Sequence, residues 1–188
     1  PDGYTLLLMD VGTLVISQTL YPNLPFNVTK DFAPITMIAY SPHLLVASNK
    51  MPFNTTAELI AYAKAQKGKM NFAAAAGMGS AAHLAGVVFA KRSGIEWGYV
   101  PYKGGAPAMV DLMAGNIQMI FATLATSIPY IKSGKTRAIA MAAPTRFALL
   151  PEVPTVAEAG VPGFSVINWA GIFVAAGTPR PIIDRLSG

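Results

Sequence analysis

Short apolar runs punctuate the chain at 4–9 (YTLLLM), 35–40 (ITMIAY), 43–48 (HLLVAS), 70–75 (MNFAAA), 97–102 (WGYVPY), 117–122 (IQMIFA), 136–141 (TRAIAM) and 166–176 (VINWAGIFVAA). Each is bounded by turn residues and lacks polar alternation, the pattern of strands covered on both faces of a parallel sheet. Helical segments lie between several of them. Thr55-Thr56-Ala57-Glu58 has the spacing of a capping box and opens a helix that should end near Gly68. Ser80 to Ser93 reads as a second helix closed by Gly94, and Ala106 to Ala114 as a third, with Pro107 in its first turn and Gly115 at its end. Strand alternating with helix predicts an α/β fold.

Two stretches read as crossings between lobes. Two extended runs meet at Ser41-Pro42, and one long extended run follows the turn-rich LPEVPTVAEAGVPG. The organisation expected is residues 1–41 as part of lobe 1, 42–165 as a contiguous central lobe 2, and 166–188 as a return crossing and part of lobe 1. The cleft between such lobes is a natural ligand site.

Composition narrows this picture. At 188 residues, 53% hydrophobic and 12% charged, the chain can bury a substantial core. The longest apolar stretch, Ile117 to Ile131, is broken by Gln118, Thr123, Thr126, Ser127 and Pro129, so no membrane insertion is expected. The net charge of +5 comes from 14 scattered basic residues. That favours small anions over nucleic acid. With no cysteine and two histidines, His43 and His83, neither thiol chemistry nor a His/Cys metal site is expected. The chain begins PDGYTLLLMD and ends in PIIDRLSG as a helix starts, so it is expected to be incomplete at both termini.

The candidate chemistry sits in AAAAGMGSAAHLAG, residues 73–86. One reading is a tight strand-to-helix turn with Ser80 as an ordinary helix N-cap. A second is a nucleotide-cofactor enzyme, because Gly77-x-Gly79-x-x-Ala82 matches the dinucleotide fingerprint. Against it, Glu96 stands before the strand WGYV, not at the end of a strand where it would meet a ribose. A third is an anion cradle: a helix start offers unpaired N–H groups and positive dipole, glycines admit close approach, and small alanines leave room. Tyr102-Lys103-Gly104-Gly105-Ala106-Pro107 is a second turn of this type, and two cradles suit a diacid.

DGYTLLL, LYPNLPFNVTKDFAPI, AELIAYAKA, NFAAAAGMGSAAHLAG, YVPYKGGAPAMVDLMAGNIQMIF, IPYIKSGKTRAIA, LPEVPTVAEAGVPGF and AGTPRPII, in that order, resemble the Bug family, the TctC-like extracytoplasmic solute receptors of tripartite tricarboxylate transport systems. The resemblance covers essentially the whole chain. It implies a two-lobed type II periplasmic binding protein of Venus flytrap architecture that captures a small organic carboxylate, a di- or tricarboxylate or an aromatic acid. It also implies no catalysis, no metal and no cofactor, a periplasmic location, a monomer, and membrane components of a tripartite transporter as partners. A sensory role for the same ligand class is an alternative.

Carried over by position, Gly77, Met78, Gly79, Ser80 and Ala81 would hold the carboxylate, with Asp10, Val11, Gly12 and Thr13 lining the opposite lobe, Thr123 at the cleft edge and Trp169 as an apolar wall. His83 joins them as a candidate contact, beside a reading as a packed or capping group. Two departures stand out. Ala122 replaces an aspartate common in relatives, which favours a plain carboxylate over an amino acid. Asp10 stands where relatives are more often small and neutral, and pointing into the cleft it would repel an anion.

Overall fold

The computed structural model describes residues 1–188. In chain order the elements are β1 (Leu7–Asp10), a π-helical turn (Gly12–Ile16) running into α1 (Ser17–Leu20), α2 (Val28–Asp31), β2 (Phe32–Ser48), α3 (Thr56–Gln66), β3 (Asn71–Ala74), α4 (Ala81–Ser93), β4 (Gly98–Pro101), α5 (Gly105–Ala114), β5 (Met119–Thr123), α6 (Leu124–Lys132), β6 (Thr136–Met141), β7 (Ile167–Ala175) and α7 (Arg180–Ser187). They divide into two compact units, one of residues 1–41 with 168–188 and one of residues 42–167.

The two apolar runs at 35–40 and 43–48 are not separate strands. They form the single 17-residue β2. Proline 42 does not break it, because proline holds the residue before it in extended backbone and removes only one ladder donor. Burial changes along this strand: residues 42–48 are all buried, whereas Met37, Ile38 and Tyr40 are more than half exposed.

In the 42–167 unit the strand order is β6-β2-β5-β3-β4. β3 is parallel to both β4 and β5, but β2 is antiparallel to β5 and to β6. The wholly parallel sheet expected from the continuous apolar runs is therefore corrected to a mixed one. Such runs report burial on both faces, which says nothing of strand direction. Leu44, Leu45, Val46 and Ala47 are fully buried, as that pattern requires.

The core gathers around an aromatic stack. Phe72 on β3 lies 4.8 Å from Trp97, Trp97 is 5.7 Å from Phe89 on α4, and Phe121 on β5 is 5.7 Å from Phe164. Helix α4 packs closely here because Gly86 has no side chain: a Cβ at that position would meet the Phe72 ring at 2.6 Å. The turn-rich segment after β6 is fixed on this core through buried Leu150, Val153, Val156, Val161 and Phe164. Thr155 and Glu158 close a reciprocal box at its centre, the Glu158 amide donating to Thr155 Oγ1 and the Thr155 amide to the Glu158 carboxylate. Arg146 pairs with the same carboxylate at 3.0 Å. The Thr155 amide and the Arg146 guanidinium hold the Glu158 carboxyl below the usual carboxylate range.

The 1–41 and 168–188 unit pairs β1 antiparallel to β7, from Leu7 opposite Phe173 to Asp10 opposite Ala170. No helix of the chain is long and apolar enough to cross a membrane.

Candidate functional site

Strands β3, β4 and β5 are parallel neighbours, and each is followed at once by a helix. The starts of α4, α5 and α6 therefore share the carboxyl-terminal edge of the sheet, with α4 following the middle strand. The turns touch: the Tyr102 amide donates to Ala74 O at 3.0 Å, and Ala76 is bridged to Lys103. The start of α5 also packs on α6, where a Cβ on Gly105 would lie 2.9 Å from Thr126 Cγ2.

The turn before α4 needs its glycines. Gly77 and Gly79 have φ of +84° and +85°, in the left-handed region that other residues enter at a cost. No atom lies within 4 Å of where a Gly77 side chain would begin, so this face of the turn is open. Met78 beside it is half exposed. Ser80 is the N-cap of α4: its Oγ donates to Gly77 O at 2.9 Å and accepts from the His83 amide at 3.2 Å. The first bond of the helix runs from the Leu84 amide to Ser80 O. Between these, the Ala81 and Ala82 amides have no acceptor within the chain. They are the unpaired donors that a helix start offers an anion.

His83 is held inward. Its Nδ1 accepts from the Gly79 amide at 3.0 Å, and its ring meets the edge of Tyr99 at 4.8 Å. Nδ1 must be unprotonated to accept that bond, so the imidazole is neutral with its hydrogen on Nε2. Burial pushes its pKa below the ordinary value of 6.5, which reinforces this state. The Gly79 amide is thereby committed to His83. Ser80 and His83 do not form a nucleophile and base, because the serine hydroxyl is turned to Gly77 and the imidazole acceptor to Gly79.

Thr123 caps α6. Its Oγ1 lies 2.9 Å from Thr126 Oγ1 and accepts from the Thr126 amide at 3.4 Å, while Ser127 Oγ donates to Thr123 O. Opposite Thr123 in the ladder is His43, which the pattern of the sequence did not single out. His43 is 4% exposed, its Nδ1 has no partner, and burial lowers its pKa to about 4. Ala122, opposite Leu44, is buried. The alanines of the AAAA run divide: Ala73, Ala74 and Ala75 are buried in the core, and only Ala76 is exposed at the edge.

The remaining candidates belong to the other unit. The Asp10 carboxylate accepts from the Thr13 amide at 2.9 Å and from Thr13 Oγ1 at 3.0 Å, so it is turned back onto its own loop, with Val11 and Gly12 between. Trp169 lines a shallow groove of about 350 Å³ with Pro34, Ile35, Thr36, Met37, Gly171 and Phe173. Gly77 to Ala81, His83 and Thr123 thus share one unit and one sheet edge, and Asp10 to Thr13 and Trp169 share the other unit.

Helix dipoles and free amides are gathered at one sheet edge, with the nearest hydroxyl and imidazole both engaged in holding the turn, and such an arrangement suits an anion. The chain belongs to the TctC family, the tripartite tricarboxylate transporter family receptor, which matches residues 1–188. It is 38% identical over 187 residues to the UPF0065 protein in the tcbD-tcbE intergenic region of Pseudomonas sp. (strain P51), covering 99% of this chain and 55% of that protein. It is 37% identical to the protein BugT of Bordetella pertussis, covering 99% of this chain and 57% of that one. Among solved structures it is similar to R. palustris Rpa4515 with adipate, with a TM-score of 0.94 and 33% identity over 98% of this chain and 62% of that one. It is also similar to MatC from Rhodopseudomonas palustris with bound malate, with a TM-score of 0.90 and 33% identity over 99% of this chain and 63% of that one. The α/β periplasmic-binding-protein architecture expected from the sequence is the fold these neighbours share. The chain spans about half the length of the curated relatives it matches.

Proposed function

We propose that the protein containing this chain is a periplasmic solute-binding protein, not an enzyme, that holds a small organic carboxylate at the start of α4 for the membrane components of a tripartite tricarboxylate transporter. The observation that carries this reading is the pair of unpaired Ala81 and Ala82 amides at the start of α4, next to a glycine turn that is open at Gly77 and set among the starts of α5 and α6. The family, together with the adipate and malate of two structural neighbours, supports a carboxylate as the ligand. Gly77, Met78, Ser80, Ala81, Ala82 and Thr123 are the proposed contacts, and His83 and Gly79 together keep the turn in shape.

A single helix-start contact supplies about 0.3 to 1 kcal/mol, and micromolar binding needs about 8 kcal/mol. Several donors must therefore converge on the ligand, and water must be excluded from them. A dicarboxylate can use two of the adjoining helix starts at once, which favours adipate- or malate-like acids over monocarboxylates.

Calorimetry on the full-length protein with adipate, malate, an aromatic acid and NAD tests the proposal. Saturable heat with one of the acids and none with NAD is expected. Saturable NAD binding without response to any acid would replace it with the cofactor reading.

A further inference from the structure

Five of the 14 basic residues of the chain lie at the ends of two helices. Lys64 and Lys67 close α3, Lys69 follows them, and Lys91 and Arg92 lie in the last turn of α4. The two helix ends meet: a Cβ on Gly94 would lie 4.0 Å from Lys64 Cε, and one on Gly68 3.8 Å from Glu96. Five exposed cations and the exposed Glu96 thus lie at these two helix ends, a local excess of four positive charges. None of the five is in an ion pair. The two ion pairs present are Arg146–Glu158 and Arg180–Asp184. The only side-chain hydrogen bond among the five is a long one of 3.4 Å from Arg92 to Pro162 O.

Helix C-termini attract cations through their dipoles, but the effect fades within the last turn and does not reach Lys69. Lys67 stands out by its backbone. It adopts φ of +49°, the only non-glycine residue of the chain at positive φ, at a helix-capping position where glycine is the low-cost choice.

We propose that this cationic end of the 42–167 unit rests on the anionic phospholipid surface of a membrane by diffuse electrostatic attraction. Four of the five cations are lysines, hydrated point charges on flexible stems. The apolar side chains beside them are few: Val88, one turn before Lys91, is exposed, while Ile95 and Trp97 are buried. Protein interfaces are built the other way, depleted in lysine and centred on buried aromatic residues. The patch lies at the C-terminal ends of α3 and α4, so α4 separates it from the turn at its own start. Contact with headgroups leaves the ligand turn uncovered.

The test is co-sedimentation of the full-length protein with vesicles of phosphatidylglycerol and phosphatidylcholine, against vesicles of phosphatidylcholine alone. Binding to the anionic vesicles only, abolished when salt is raised to about 1 M, is expected. A surface cation contributes about fivefold to partitioning, so Lys64→Gln, Lys67→Gln and Lys69→Gln combined should weaken it roughly a hundredfold. The same triple variant should retain its circular dichroism and its carboxylate affinity, which separates this proposal from the ligand site. Equal binding to both vesicle types, no binding to either, or no effect of the triple variant overturns it. Retention only on vesicles that also contain the transporter's membrane subunits overturns it too, and assigns the patch to a protein partner.

Discussion

The Gly79 amide donates to Nδ1 of His83, four residues on, at 3.0 Å. A side chain one turn inside the helix thus holds the glycine turn that precedes it, and it does so only while the imidazole is neutral. Replacing His83 with Leu removes the acceptor and frees the turn. A loss of about 1 kcal/mol in stability is expected, with carboxylate affinity reduced severalfold. Denaturant unfolding and calorimetry on the same variant check the two effects separately.

Ser80 serves the same turn from the other side, tying Gly77 O to the His83 amide. Ser80→Ala should cost about 0.5 to 2 kcal/mol as a lost N-cap. Ser80→Gly should cost only a few tenths, and unfolding of the two variants without ligand checks that order.

Gly86 is where helix propensity and packing disagree. Alanine gains up to about 1 kcal/mol in a helix interior, but here its Cβ would fall 2.6 Å from the buried Phe72 ring. Overpacking of that kind costs about 1 to 3 kcal/mol, so Gly86→Ala is expected to lower the melting temperature. A raised melting temperature would mean that α4 can move off β3, and its start with it.

His43 predicts the acid limit of stability. Its pKa falls from 6.5 in the unfolded chain to about 4 in the fold because burial disfavours the charged ring. The unfolded chain therefore binds the proton first as pH falls. The stability associated with the neutral ring is complete above pH 6.5 and is lost progressively down to about pH 4, in total about 3 kcal/mol. His43→Gln should flatten this part of the curve, measured as unfolding free energy against pH.

Much of this architecture was legible in the sequence, for identifiable reasons. The Thr55–Glu58 box, Ser80 before its helix and Gly94 and Gly115 after theirs are local signals, and the helices they mark occupy those places. Helix α6 was missed because Pro129 stands inside it and its first turn reads as the end of an apolar strand. The Thr123-x-x-Thr126 spacing was the signal available, since Thr123 is the cap. The direction of β2 and the pairing of His43 with Thr123 are set by contacts distant in sequence, which no local pattern encodes. Asp10 shows the same limit: its charge was visible, but not that Thr13 would turn it back onto its own loop.

The most direct measurement is a crystal structure of the full-length protein with adipate or malate. A carboxylate oxygen should lie within about 3 Å of the Ala81 or Ala82 amide nitrogen. A carboxylate bound instead by lysine or arginine side chains, with those amides facing only water, would contradict it.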